Sequence, residues 1–329
     1  MKVKNIALGI MIALPLAAAS LSAQAAVERI TLKLAHNLEP SHVVHQTWVQ
    51  MAKDLEAETD GKMKIRIYPS SQMGGPRETL ELLQNGALDL TKAMANELEA
   101  FSPAYSIYSL PYLFRDDAHF KSVIHGPVGE SMNDGIKDKG FFTLGAYVGG
   151  TRSFYAKKAI NSPADMKGMK IRVITTPTTI KFIELLGASP VSIPFGEVYT
   201  ALQQGVIDGA ENNEPSYVQT RHVEVAKFYT ENQHTAMPDY LVVSDKTWHK
   251  LSDAQRAALE KVVKASETYQ AKLWDQLVDK SRKEAQAAGA TLIAVDKQPF
   301  RQSLQPLYDE FKNDPVRGPW VTKVEQVTE

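Results

Sequence analysis

The 329-residue chain contains no cysteine, which removes disulfide bonds, thiol nucleophiles and thiolate metal sites together. It also lacks a charge excess. Its 37 Lys and Arg nearly balance 38 Asp and Glu, for a formal net charge of -1, so neither nucleic acid nor an anionic membrane surface is an expected partner. Catalytic signatures are missing as well: there is no G-x-S-x-G elbow, no H-E-x-x-H, no Walker loop and no G-x-G-x-x-G after a strand. The eight histidines are scattered, and His42 and His45 read as one helix face. No cofactor is called for.

What long apolar run there is stands at the start. Lys2 and Lys4 precede an apolar stretch from Ile6 to Ala19, followed by Ala23-Gln24-Ala25. A basic start, an apolar core and a small-residue cleavage site make a secretory signal peptide over 1–25. The run is shorter than the roughly 20 apolar residues of a transmembrane helix, so export is expected, with cleavage near Ala25. The remainder is long enough for two lobes.

Periodicity predicts an α/β chain. Ile30 to Ala35 reads as a strand, followed by a helix whose Val44, Trp48, Met51 and Leu55 keep helical spacing until Gly61. Met63, Ile65 and Ile67 alternate with Lys62, Lys64 and Arg66 in a second strand. A polar loop then leads through Pro76 into a helix closed by Gly86, with a third strand over Ala87 to Thr91. That order predicts a mainly parallel sheet with helices on its faces. Phe141 to Gly145 adds a strand. The second half repeats the pattern: a strand over Met169 to Val173, a helix over Pro177 to Leu186, a strand over Pro190 to Ile193, a helix over Phe195 to Gln204 and a strand over Val206 to Ala210.

One internal echo links the halves. E-T-L-E-L-L-Q-N-G-A-L-D over Glu78 to Asp89 matches E-V-Y-T-A-L-Q-Q-G-V-I-D over Glu197 to Asp208, each with Leu-Gln-x-Gly at a helix end and Asp in the next strand. After a strand near Leu241 to Ser244, Ser252-Asp253-Ala254-Gln255 fits a capping box opening a long helix towards Gly289. A strand over Thr291 to Val295 and a last helix over Pro299 to Phe311 complete the chain. The expected division is 26–149 plus 238–275 for one lobe and 150–237 plus 276–329, with a C-terminal wrap, for the other.

The stretch from Gly149 to Val173 carries two arginines. Alternation sets Arg172 against Ile171 and Val173 in a core strand, and a guanidinium there needs an acidic partner, a solvated strand end or a ligand. Other polar side chains fall at strand ends and loops: His36, Asn37, Gln72, Glu78, Lys92 and Asn96 in the first half, then Arg152, Phe195, Asn212, Asn213 and Tyr217 in the second. Ligands of parallel sheets bind outside the carboxyl ends of strands, where most of these lie, so together they predict a ligand cleft. Asp208, Glu211 and Glu214 keep a three-residue spacing that also suggests a hard cation, without the Gly-punctuated loop of a calcium site.

The stretches G-K-M-K-I-R-I-Y-P-S-S-Q-M-G, S-L-P-Y-L-F, G-T-R-S-F-Y, A-D-M-K-G-M-K-I-R-V and S-I-P-F-G-E-V-Y-T-A-L-Q-Q-G-V-I-D-G-A-E-N-N resemble the DctP-type extracytoplasmic solute-binding proteins of TRAP transporters. The resemblance runs through the whole chain after the leader. It implies a two-lobed periplasmic binding protein fold with crossing strands and a long lobe-spanning helix, closing on an organic acid and delivering it to TRAP membrane permease subunits. It implies a periplasmic monomer and no enzyme. In that family the position of Arg172 clamps the ligand carboxylate, those of Arg152 and Asn212 assist, that of Phe195 packs on the ligand, and that of Asn37 makes a polar contact. The stretch around Gly149 to Tyr155 would be a crossing between lobes.

The acidic residue of sialate binders falls at Met94 here, a departure from that subgroup. The runs A-E-N-N, L-P-Y-L-F-R-D and R-H-x-E-V-A-K are similar to members that bind hexuronates such as glucuronate or galacturonate. A uronate needs one carboxylate clamp and several hydroxyl partners, for which His36, Glu78, Lys92, Asn96 and Asn213 are candidates. A four-carbon dicarboxylate would want a second cation, Lys92 or Arg152. An alternative of another class is a secreted enzyme on an acidic sugar, with Glu78, Glu97 and Glu214 as its carboxylates.

Overall fold

The computed structural model describes residues 28–328; the signal peptide expected over 1–25 lies outside them. The strands are β1 (Ile30–Ala35), β2 (Met63–Tyr68), β3 (Leu90–Met94), β4 (Phe141–Tyr147), β5 (Thr151–Ala156), β6 (Lys170–Val173), β7 (Ser189–Ser192), β8 (Gly209–Asn212), β9 (Phe228–Ala236), β10 (Asp239–Ser244) and β11 (Thr291–Ile293). They form two sheets, ordered β2-β1-β3-β10-β4 and β11-β9-β5-β8-β6-β7. In each, a parallel trio built by strand-helix-strand-helix-strand winding (β2-β1-β3 and β7-β6-β8) is extended by antiparallel partners. The sheets are therefore mixed, because the antiparallel strands enter from the other half of the chain.

The crossing happens twice. β4 ends in the first sheet and β5 begins in the second after Val148 to Gly150; β9 ends in the second and β10 begins in the first after Met237 and Pro238. The two crossings touch closely: a Cβ on Gly149 would stand 2.3 Å from the Met237 carbonyl oxygen, so only glycine fits there. A 35-residue helix, Asp253–Ala287, packs against the helix Val43–Glu58 of the first half and the helix Glu214–Gln219 of the second. Its expected capping box is present, with Gln255 N–H donating to Ser252 Oγ at 3.3 Å and Ser252 N–H donating to Gln255 Oε1 at 2.8 Å.

The repeated motif folds the same way in both halves. Gly86 and Gly205 cap their helices in the left-handed region at φ 77° and 76°. Asp89 then accepts the β1 amide of Lys33 and Asp208 the β6 amide of Lys170, both at 2.8 Å. The helix-stop turn is longer than expected: the amides of Ala87 and Leu88 return to Leu82, and those of Val206 and Ile207 to Ala201. β3 and β8 thus start at Leu90 and Gly209 rather than Ala87 and Val206.

Two elements differ more. β9 had no apolar signature, since Thr230, Asn232, His234 and Thr235 face inward with it. The last helix resolves into Gln298–Ser303, Gln305–Asn313 and Arg317–Gln326. The final one, expected with the second lobe, packs on Pro103–Ser109, and the His119 ring meets its Val324 carbonyl at 2.9 Å.

Candidate functional site

A cleft of about 1090 Å³ lies where the carboxyl ends of β1 and β3 face those of β6 and β8. That is at the upper end of the roughly 300–1,000 Å³ of small-molecule sites. Of the twelve residues expected at a ligand, Asn37, Glu78, Lys92, Asn96, Arg152, Arg172, Phe195, Asn212 and Asn213 line it. Winding both trios the same way puts their loops on one side, which is why residues far apart in sequence converge.

Three expected residues do not reach the cleft. His36 turns inward, its Nδ1 accepting from the Leu38 amide at 3.1 Å and its Nε2 3.0 Å from His45 Nδ1, with its ring against Trp48. Gln72 stands exposed on the loop after β2. Tyr217 packs its ring on Tyr155 and Tyr229, at centroid distances of 4.8 and 5.1 Å, and donates its hydroxyl to the Ala226 carbonyl. Its aromatic bulk belongs to the core.

The two arginines differ in their partners. Arg152, 4% exposed, donates from Nε to Glu211 Oε2 at 2.5 Å, from Nη2 to Glu211 Oε1 at 2.9 Å, and from Nη1 to Asn212 Oδ1 at 2.9 Å. His234 Nε2 lies 3.5 Å from the same carboxylate. Burial alone would raise the Glu211 carboxyl, but Arg152 and His234 outweigh it and hold it at about 2. Arg172, 7% exposed, donates only Nε, to the Ile193 carbonyl at 3.1 Å. Among the described residues no carboxylate pairs with it. Its guanidinium carbon stands 5.7 Å from the Phe195 ring centroid, and burial lowers its pKa. The terminal nitrogens of a desolvated fork thus face the cleft unmatched.

The opposite wall is acidic and amide-rich. Lys92 is not free: its ammonium lies 2.9 Å from Asp239 Oδ1. Burial opposes its charge, but Asp239 and Glu97 overrule that and raise its pKa. Burial raises the Glu97 carboxyl against the pull of Lys92. Asn96 is fully buried, and neither its Oδ1 nor its Nδ2 has a hydrogen-bond partner, an unusual cost for a native amide without a ligand. Asn213 lines the cleft with its amide engaged, donating to the Gly149 carbonyl at 2.8 Å and capping the next helix through Ser216 N–H. Across the mouth, Thr178 donates to Glu99 Oε1 at 2.8 Å.

Asp239 was missed, although its place after Met237-Pro238 at the head of a strand marks a crossing. Glu211 was read only as a metal candidate. The structure sends that trio three ways: Asp208 to the Lys170 amide, Glu211 to Arg152, and Glu214 to Arg282 at 3.1 Å. They form no common cation site. Glu214 lines a different cavity from Glu78 and Glu97, so the carboxylates considered for a hydrolase do not converge.

Comparison with known proteins fits this architecture. Residues 34–314 match the model of the DctP family, described as bacterial extracellular solute-binding protein, family 7. The YiiZ protein of Salmonella typhimurium is 40% identical over 287 residues, covering 86% of this chain and 88% of that protein. A TRAP periplasmic solute binding protein from Xanthobacter autotrophicus, solved with bound β-D-galacturonate, superposes with a TM-score of 0.87 at 35% identity, over 90% of this chain and 100% of that one. One from Anaerococcus prevotii, with bound D-glucuronate, superposes with a TM-score of 0.87 at 32% identity, over 91% and 98% of the two chains. With two mixed sheets, paired crossings and a lobe-spanning helix around one cleft, the chain belongs to the DctP family of TRAP transporter solute-binding proteins.

Proposed function

We propose that the protein captures a hexuronate such as glucuronate or galacturonate, with Arg172 as the carboxylate clamp, and hands it to the membrane permease subunits of a TRAP transporter. The observation that carries this reading is the unmatched guanidinium of Arg172 inside a deep cleft. A planar carboxylate fits two parallel N–H groups, and the Phe195 ring supports the sugar beside it. Asn37, Asn96 and the acidic side chains opposite offer partners for hydroxyl groups. Arg152 and Asn212 steady the Arg172 side of the cleft rather than act as a second clamp.

The charge inventory favours a monoacid over a four-carbon dicarboxylate. Lys92 is neutralised by Asp239 and Arg152 by Glu211, so a second carboxylate would meet Glu97 and Asp239 instead of an open cation. Similar solved proteins hold galacturonate and glucuronate, which supports the same class. We infer a binding protein without turnover, working in the periplasm as a monomer after loss of the signal peptide. Its lobes would be 26–149 plus 238–275 and 150–237 plus 276–329, with the last helix bridging back to the first.

The test is a thermal-shift panel of uronates, aldonates and small dicarboxylates. A ligand at a hundred times its dissociation constant should stabilise the fold by roughly 2.7 kcal/mol. Silence from every uronate defeats the proposal, and conversion of a bound uronate to product would favour the enzyme reading.

A further inference from the structure

A second cavity, of about 570 Å³, lies behind the crossing strands. Thr151 and Ala236 line it, whereas Arg152 and Met237, next to them in β5 and after β9, line the Arg172 cleft. Strand alternation puts the two cavities on opposite faces of the crossing. The rear cavity is bounded by the segment after Tyr112, by the long helix at Trp274 and Val278, and by the C-terminal segment at Lys297 and Arg301.

Its polar groups are incompletely matched. Tyr112 is 8% exposed and Thr235 6% exposed, and neither hydroxyl oxygen has a hydrogen-bond partner. The Asn232 side chain gives the Tyr112 hydroxyl a weak polar contact, short of full hydrogen-bond geometry. Tyr112 and Thr235 both line the cavity, and an unpartnered buried hydroxyl carries a cost that a polar partner would relieve. Tyr112 and Gln233 both hold left-handed backbone, φ 61° and 45°, so this face is kept in an uncommon conformation.

The charges differ in how far they are satisfied. Arg282 pairs with Glu214 and Glu231, and Arg115 donates to the Val327 carbonyl at 2.7 Å. Lys297 reaches only the neutral Gln233 Oε1, at 2.6 Å. Arg301 rests its guanidinium 4.7 Å from the Tyr112 ring centroid and has no carboxylate partner among the described residues. Burial and the neighbouring Arg301 lower the Lys297 pKa, and Glu231, already paired with Arg282, offsets this only in part. Asp275 and Asp279 occupy the long-helix wall, which directs an anion to the Lys297 and Arg301 end.

We propose that this rear cavity is a second ligand site for a small organic carboxylate with an apolar body: the carboxylate between Lys297 and Arg301, the body over Trp274 and Val278, and the Tyr112 and Thr235 hydroxyls as further partners. An occupant there contacts both crossing strands from behind. The site is independent of the uronate reading, since it shares none of the Arg172 wall.

Benzoate and inorganic phosphate serve as probes, titrated calorimetrically into the full chain. The expected result is saturable benzoate binding that survives Arg172→Ala and weakens at least tenfold in Arg301→Ala and in Lys297→Ala. The Arg301 side chain is exposed, so the melting temperature of Arg301→Ala should match the parent and show that the loss is local. Absence of benzoate binding, its loss in Arg172→Ala, its persistence in both rear variants, or phosphate binding as tightly would each overturn the proposal. Loss of uronate binding in Arg172→Ala with benzoate binding intact separates the two sites.

Discussion

Arg152 grips Glu211 through two parallel contacts, Nε to Oε2 at 2.5 Å and Nη2 to Oε1 at 2.9 Å, and this buried pair leaves Arg172, two strands away across β8, as the unmatched guanidinium of the cleft. The same residue type therefore has opposite energetic roles at two neighbouring positions. Arg152→Ala strands a buried carboxylate and should cost about 3–5 kcal/mol of stability. Arg172→Ala removes a desolvated, unpaired charge and should leave stability within about 1 kcal/mol while abolishing uronate binding. Urea unfolding of both variants, with calorimetry on the second, checks this. Equal destabilisation would contradict the assignment, and near-native affinity in Arg172→Lys would contradict a bidentate clamp.

On the proposed reading, Asn96 gives up stability for recognition of the ligand. Both polar atoms of its buried side chain are unpartnered, so Asn96→Leu removes an uncompensated buried amide. Stability should hold or rise, while uronate affinity falls at least tenfold, about 1.4 kcal/mol. Thermal unfolding with and without ligand reads both effects at once, and loss of stability without loss of affinity would refute the role.

On the proposed reading, Lys92 would be a second clamp, held shut by its ion pair with Asp239. Asp239→Asn should free the ammonium at a cost in stability of about 3–5 kcal/mol, and binding of a hexarate, which carries a carboxylate at each end, should recover part of it. The ratio of hexarate to hexuronate affinity is expected to rise about tenfold or more. An unchanged ratio would mean that Lys92 does not face the far end of the ligand.

Three buried histidines, His36, His42 and His222, weaken the fold in acid. Burial, with like charges nearby, lowers His36 and His222 to about 3; burial, opposed by Asp239, lowers His42 to about 4. These lie below the 6.5 of the unfolded chain, so below that pH the unfolded state binds more protons and stability falls as pH falls. At pH 5 these three alone take up about three protons on unfolding, a slope of about 4 kcal/mol per pH unit. The lowered His45, His125 and His234 add to it, and the raised carboxyls of Glu97, Glu99 and Glu214 subtract from it. Glu211, held at about 2 against an ordinary 4.5, extends the loss to lower pH. Urea midpoints from pH 7 to 5 measure the slope, and a flat profile would contradict buried neutral imidazoles.

Much of the architecture was legible because both trios carry clean periodicity and both helix stops end in Gly. Arg172 was legible for the same reason: a guanidinium between Ile171 and Val173 stands out. What the sequence hid was pairing across the crossings. Nothing local says that Asp239 neutralises Lys92 or that Glu211 takes up Arg152, since each pair joins strands far apart in the chain. Strand β9 was invisible because its inward side chains are polar, and where they are satisfied the partner is distant in sequence, as when Thr230 Oγ1 donates to the Ile160 carbonyl at 2.8 Å. His36 and Tyr217 showed the reverse error: polar groups beside functional motifs whose side chains point into the core.

The crossing itself is held by one amide. Gln270, fully buried in the long helix, accepts from Val148 N–H at 3.1 Å and donates to the Val148 carbonyl at 2.8 Å. One turn earlier, Glu267 Oε1 accepts from Ala146 N–H at 2.7 Å. Val148 follows β4 and has left the first sheet without joining the second, so its peptide groups have no ladder partner and the helix supplies one. Gln270→Leu keeps the bulk but strands a donor and an acceptor, each costing about 1–3 kcal/mol. Gln270→Glu keeps the acceptor and sets a carboxylate against the Val148 carbonyl, so it should not rescue. Hydrogen exchange at the Val148 amide should accelerate in Gln270→Leu before global unfolding does, because the loss is confined to the crossing. Native protection there would mean that the helix merely lies against the crossing strand and does not hold it.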